Sequence, residues 1–166
     1  MNKHKFLIIG MAVTLFATSC RKNDTEANKP ATTETVQATE WRAAGDWSSS
    51  KEEGYNSFST SIQDSKITSD VVDNGLVLVF AKYGNEVFSL PHQTKGALNT
   101  FWHYQVSENT IAIDADVYSD NASMDSKQSF SYFILSQDKI KSLEEGGHTM
   151  SDLMTLTYED AKNLLK

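Results

Sequence analysis

The chain has 166 residues and a formal charge of −7, with 22% charged and 10% aromatic side chains. That length suits a single domain. An acidic balance without a basic cluster argues against nucleic acid, whose binding rests on neutralised phosphates, and against adhesion to an anionic lipid surface by charge alone.

Residues 1–19, MNKHKFLIIGMAVTLFATS, begin with Lys3 and Lys5 and continue into a 12-residue, mostly apolar stretch, Phe6 to Ala17, with Gly10 inside it. A membrane-spanning helix needs roughly 20 such residues, whereas the apolar core of a signal peptide has this shorter size. Ala17, Thr18 and Ser19 lead into Cys20, the only cysteine of the chain. A disulfide within the chain has no second thiol, and a catalytic thiolate needs an ordered, electropositive pocket. A chance cysteine after an ordinary signal peptide is the competing reading.

The stretch resembles the lipobox of bacterial lipoproteins, with Ala17 where leucine is usual. The resemblance implies transfer of a diacylglyceryl group to the Cys20 sulfur, cleavage before Cys20 and usually acylation, as with palmitate, of the new amino terminus. Two or three acyl chains suffice for a stable membrane anchor. Arg21 stands where an aspartate would imply retention in the inner membrane, so the outer membrane is the expected location. Lys22, Asp24 and Glu26 loosely resemble the surface-export signals of Bacteroidota lipoproteins, which leaves both the periplasmic face and the cell surface open. Cleavage there leaves 13 basic and 22 acidic residues, a formal charge of −9.

Residues 21–40 contain one valine and no larger hydrophobe, and Pro30 interrupts any helix. They read as a flexible tether. All three tryptophans and all six tyrosines lie at or after Trp41, so burial can offset ordering entropy only from there on. The expected organisation is a signal peptide at 1–19, a lipidated cysteine and tether at 20–40, and one domain at 41–166.

Within that domain, Trp41 and Trp47 are expected to open the fold as an edge strand or a brace, and SSSKEEGYN at 48–56 reads as a polar turn. Phe58, Thr60 and Ile62 alternate with serines, the period of a half-buried strand. Ser69 is a candidate cap for a short linker helix ending at Asn74–Gly75, with the glycine left-handed. The run LVLVFAKY at 76–83 is apolar on both faces, which predicts a central strand covered on both sides. Gly84–Asn85 makes a hairpin turn, and EVFSL at 86–90 returns until Pro91 ends it. Strands follow at 100–106, with Trp102, Tyr104 and Val106 on one side, and at 110–118, turned by Glu108–Asn109. In the latter Ile111, Ile113, Ala115 and Val117 face the core, while Asp114, Asp116 and Tyr118 face out. SFSYFIL at 129–135 is rich in β-formers. The last segment, 157–166, is helical, with Thr157 as its cap and Asp160 three residues on. Five to seven antiparallel strands of this kind predict a mainly β fold, a β-sandwich or a single curled sheet, with a short linker helix and a C-terminal helix.

Catalytic signatures are sparse. His92, His103 and His148 show no metal-ligand spacing, and neither a nucleophile elbow nor a glycine-rich phosphate loop occurs, so no cofactor is expected. Asp114 and Asp116 share a strand face about 7 Å apart, and with Asp120, Asn121 and Asp125 they are candidates for a calcium cage. The simpler reading is the wet face of a half-buried strand. Trp102, Tyr104, Tyr118 and Tyr132 are candidates for an aromatic platform that stacks a sugar or a peptide, against the plainer alternative of core packing.

From VVDNG onward the chain resembles small Bacteroidota lipoproteins, in which a lipobox and spacer precede a Trp-rich start. In that pattern an Asn-Gly step leads a strand whose hairpin ends in Leu-Pro, here Asn74–Gly75, residues 76–83 and Leu90–Pro91. The resemblance implies location and fold and carries over no catalytic residue. The expected function is a lipid-anchored, non-enzymatic binding or accessory module for a glycan, a peptide or an envelope protein. The alternatives are an envelope enzyme or inhibitor with its site in loops 91–99 and 119–128, or a structural subunit of an envelope complex.

Overall fold

The computed structural model describes residues 36–95, 99–119, 122–124 and 127–165. The leader, Cys20, the tether up to residue 35, and Asp120, Asn121 and Asp125 lie outside the described residues.

Ten strands and four helices follow one another as β1 Val36–Ala38, β2 Arg42–Ala43, β3 Ser48–Glu52, β4 Tyr55–Gln63, α1 Ser69–Asn74, β5 Leu76–Tyr83, β6 Glu86–Ser89, β7 His92–Thr94, β8 Thr100–Ser107, β9 Thr110–Val117, β10 Gln128–Leu135, α2 Gln137–Glu145, α3 Met150–Met154 and α4 Tyr158–Leu164. The fold is mainly β, as the alternation predicts. The strands form two antiparallel five-stranded sheets, neither closed into a barrel. Sheet A runs β1-β10-β5-β6, with β2 also paired to β10; sheet B runs β3-β4-β9-β8-β7.

Between the sheets lies the larger core. Val77, Val79 and Ala81 of β5 and Phe130, Tyr132 and Ile134 of β10 meet Phe58, Ile62, Trp102, Ile111, Ile113, Ala115 and Val117 of sheet B. The opposite face of sheet A carries Leu78, Phe80, Phe133 and Leu135, covered by Ile140 and Leu143 of α2, Leu153 of α3, and Ala161 with Leu165 at the end of the chain. The molecule is therefore three layers, and β5, apolar on both faces, is the covered central strand that its sequence predicts. On the outer face of sheet B the β9 side chains Thr110, Ala112, Asp114 and Asp116 are half-buried.

Four local expectations are corrected. Val36–Ala38, read as tether, pairs with Phe133–Leu135 of β10, so the ordered part begins before Trp41. Residues 48–56 are not a turn: Ser48–Glu52 is a strand paired to Tyr55–Ser59, and only Glu53–Gly54 turns. Every residue of β3 is exposed, so no apolar alternation marks it. The cap of α1 is Thr68 rather than Ser69, because Thr68 holds the extended backbone and its hydroxyl accepts the Val71 amide at 3.3 Å. Gly75 is extended, with φ −94°, rather than left-handed. A side chain there would meet Leu135 O at 2.7 Å and Val71 O at 2.8 Å, so glycine lets the end of α1 pass against β10. By contrast Gly84 has φ +61° and does supply the left-handed turn between β5 and β6.

The strand number exceeds expectation because β1, β2, β3 and β7 are edge or flanking strands of two to five residues. Helices α2 and α3 are likewise additional. Each opens on a capped turn, Ser136 accepting from Lys139 N and Thr149 forming a reciprocal capping box with Asp152. Helix α4 matches its prediction, Thr157 accepting from Asp160 N.

Candidate functional site

The outer face of sheet B brings together Asp114 and Asp116 of β9, His103 of β8 and two serines of β4. Ser59 Oγ donates to Asp114 Oδ1 at 2.5 Å, and Ser57 Oγ donates to Asp116 Oδ1 at 2.8 Å. His103 lies across the pair, its Nε2 3.3 Å from Asp116 Oδ2 and its Nδ1 3.8 Å from Asp114 Oδ2. The carboxylates thus share a face, as their spacing predicts, and their partners are hydroxyls and an imidazole. Among the described residues no group of three or more His, Cys, Asp or Glu is placed to hold a metal ion. Phe101 stacks on His103 with centroids 5.3 Å apart, and Tyr118 lies 5.5 Å from Tyr55 near the end of the same sheet.

The aromatic platform does not assemble. Of its four members only Tyr118 is exposed; Trp102 and Tyr132 are buried and Tyr104 is half-buried. The strand parity that puts Asp114 outside puts Trp102 and Tyr104 inside, toward sheet A. The Tyr104 hydroxyl crosses the sandwich and donates to Val77 O of β5 at 2.7 Å, and burial raises its pKa. Tyr132, fully buried on β10, donates to Asp64 Oδ2 at 2.6 Å. Burial first, and then the hydrogen bond and charge of Asp64, push this phenol up to about 12. For Asp64, burial acts upward, but the Tyr132 hydroxyl, the Lys66 amide and the charges of Lys66 and Arg42 outweigh it and lower the carboxyl. Tyr132 and Asp64 therefore act as a structural tie between β10 and the loop after β4.

Trp102 takes part in a different arrangement. It packs against Trp47 at 6.2 Å, Phe88 at 6.1 Å and Phe130 at 6.3 Å, all between the sheets. One edge of this cluster opens into a cleft of about 330 Å³ at the end of the sandwich. Phe88, Trp102, Val117 and Met124 supply apolar walls, Tyr83 and Glu86 flank it from the β5–β6 hairpin, and Gln128 lines it from the start of β10. The volume lies at the lower end of the range for small-molecule sites, roughly 300–1,000 Å³. The stretch read as a loop at 91–99 contains strand β7; its Thr94 reaches the same cleft, as do Ser123 and Met124 of the 119–128 loop.

Gln128 is the polar feature of this cleft that sequence reasoning missed. It is 6% exposed. Even-numbered positions of β10 face sheet B, so Gln128 stands in register with Phe130, Tyr132 and Ile134, where an apolar residue is the norm. Its Nε2 donates to the Met124 sulfur at 3.2 Å, whereas its Oε1 is buried without a hydrogen-bond partner among the described residues. Leaving such an oxygen unpaired costs about 1–3 kcal/mol.

Compared with family models, with curated proteins and with solved structures, the chain has no match.

Proposed function

We propose that this chain is a lipid-anchored binding module of the bacterial outer envelope. Acylated Cys20 holds it to the membrane, the polar residues that follow span the gap, and the open end of the sandwich receives a ligand. Support for the anchor comes from the basic start, the short apolar run and the small residues before a lone cysteine. Support for binding rather than turnover comes from the lining of the cleft. Its walls are aromatic, aliphatic or thioether, with the hydroxyls of Thr94, Thr100 and Ser123 and the Gln128 amide among them. Its titratable groups among the described residues are Tyr83 and Glu86, both exposed on one hairpin. Acid–base and nucleophilic catalysis call for convergent groups within hydrogen-bond reach of one another.

Two measurements test the reading. A Cys20→Ala variant is expected to lose labelling by a clickable fatty acid and to leave the envelope fraction; undiminished labelling and membrane association would overturn the anchor. In the full chain carrying ¹³C-methyl methionine, a set of small amphiphilic compounds is expected to move the Met124 signal while the exposed Met150 and Met154 stay still. Shifts confined to Met150 and Met154 would sink the cleft as the binding site.

A further inference from the structure

We infer that the cleft selects a small, mostly apolar, ring-bearing ligand that carries a neutral or cationic hydrogen-bond donor, with Gln128 Oε1 as the acceptor. The inference rests on the cleft being the binding site and adds the chemistry it selects. Tyr104 bonds Val77 O, Tyr132 bonds Asp64, and Ser131 Oγ donates to Thr39 O at 2.7 Å. Gln128 is held as firmly, since its backbone pairs with Tyr83 and its carbonyl accepts the Ala44 amide at 3.0 Å. Yet the amide oxygen of its side chain accepts no hydrogen bond from the described residues. Trp47 Nε1 and Gln37 Oε1 are, like Gln128 Oε1, buried without a partner among the described residues; of these three, Gln128 is the one that lines the cleft.

The orientation of that amide is set by the donor end, which engages the Met124 sulfur, so the end left over is an acceptor. The carboxylate of Glu86 on the β5–β6 hairpin is a second acceptor beside the same cleft. Two acceptors favour a donor-bearing ligand and oppose an anion. Met124 sits beside the amide, bonded through its sulfur to Nε2, and its unbranched chain and soft thioether yield more readily than the aromatic walls. A planar ring against Trp102 and Phe88, with its donor reaching past Met124 to Oε1, satisfies the orphan oxygen and buries apolar surface in one step.

The test uses the full chain and three probes: 2-naphthol, its methyl ether, and the anion 2-naphthoate. Titration followed by the Met124 methyl signal and the Gln128 side-chain amide is expected to show 2-naphthol binding about three- to tenfold tighter than the ether, as one neutral hydrogen bond warrants. The naphthoate is expected to bind weakest. A Gln128→Met variant, checked by its melting transition, should bind naphthol and ether alike. Should that variant fail to fold, the contrast between naphthol and ether in the wild type decides alone. Equal affinities at the cleft, a preference that survives in Gln128→Met, or tightest binding of the anion would overturn this inference and leave the binding module standing. Silence of the cleft signals toward all three probes would overturn both.

Discussion

Sheet A and sheet B each have five strands, yet their outer faces have opposite fates. Sheet A buries Phe80 and Phe133 beneath three helices, whereas sheet B presents Asp114, Asp116 and His103 to water. The difference originates in the strands themselves. The run LVLVFAKY has apolar residues at odd and even positions alike, so either face left in water would expose several large side chains; α2, α3 and α4 supply the cover. The run TIAIDADV alternates strictly, and one layer suffices. A third layer thus follows from the sequence of β5 and β10, although the helices that build it are short and weakly marked.

The largest expected effect comes from breaking the covered face. Phe80 is 1% exposed and meets Phe133 at 5.8 Å and Tyr158 of α4 at 5.4 Å. Phe80→Ala should cost about 3–5 kcal/mol, measured by urea unfolding. A loss below about 1 kcal/mol would mean that the helical layer contributes little and that the sandwich stands without it.

The next effect probes the inner core, where the tie between Tyr132 and Asp64 couples stability to pH at two ends. The carboxyl of Asp64 is lowered below 3.8 in the folded chain. Its contribution is therefore present above that unfolded value and is lost as pH falls through the folded one. The phenol of Tyr132 is raised from 10.0 to about 12, so its contribution is complete below pH 10 and disappears as pH rises through the folded value. Tyr132→Phe is expected to cost about 1–3 kcal/mol near neutrality and to flatten the stability profile at both ends. An unchanged profile between pH 10 and 12 would show that the hydroxyl is not held as described.

How much of this was legible in the sequence follows the same division. Strands that bury one or both faces announce themselves: Phe58, Thr60 and Ile62 in β4, the whole of β5, and Ile111 to Val117 in β9 all sit where their spacing puts them. Strands at edges have no such obligation, and β3 reads as a polar loop because all five of its side chains are wet. Helix α2 buries only Ile140 and Leu143, too few for a helical period to stand out, and its cap, Ser136, directly follows a strand. The cleft is assembled from the β5–β6 hairpin, three strands of sheet B, the loop before β10 and β10 itself. No local pattern could reveal such a place. Gln128 is the one residue that hints at it, as a polar side chain on the core-facing parity of β10, and that parity is clear only once the register with β5 is known.

A smaller effect separates the helical layer from its own local chemistry. The Thr157 hydroxyl accepts the Asp160 amide at 3.2 Å and donates to the Asp160 carboxylate at 2.6 Å. Thr157→Ala should cost about 1 kcal/mol, well short of Phe80→Ala, because the cap orders only the first turn of α4 while the apolar contacts hold the layer. If the two variants were equally damaging, the layer would depend on helix formation rather than on burial.

The smallest expected effect lies on the wet face. Asp114 gives up two partners on truncation, the Ser59 hydroxyl and the His103 ring, but all three side chains are only half-buried, so water is expected to take over their hydrogen bonds. Where His103 is protonated its contact with Asp114 is ionic, and ion pairs near the surface contribute about 0.2–1 kcal/mol and are screened by salt. Asp114→Ala should therefore shift stability by less than about 1 kcal/mol at low ionic strength, and by still less in molar sodium chloride. A cost on the scale of Phe80→Ala, or one indifferent to salt, would mean that the outer face of sheet B is covered in solution. In that case the two sheets would be alike after all, each needing a partner on its far side, and sheet B would find its own outside this chain.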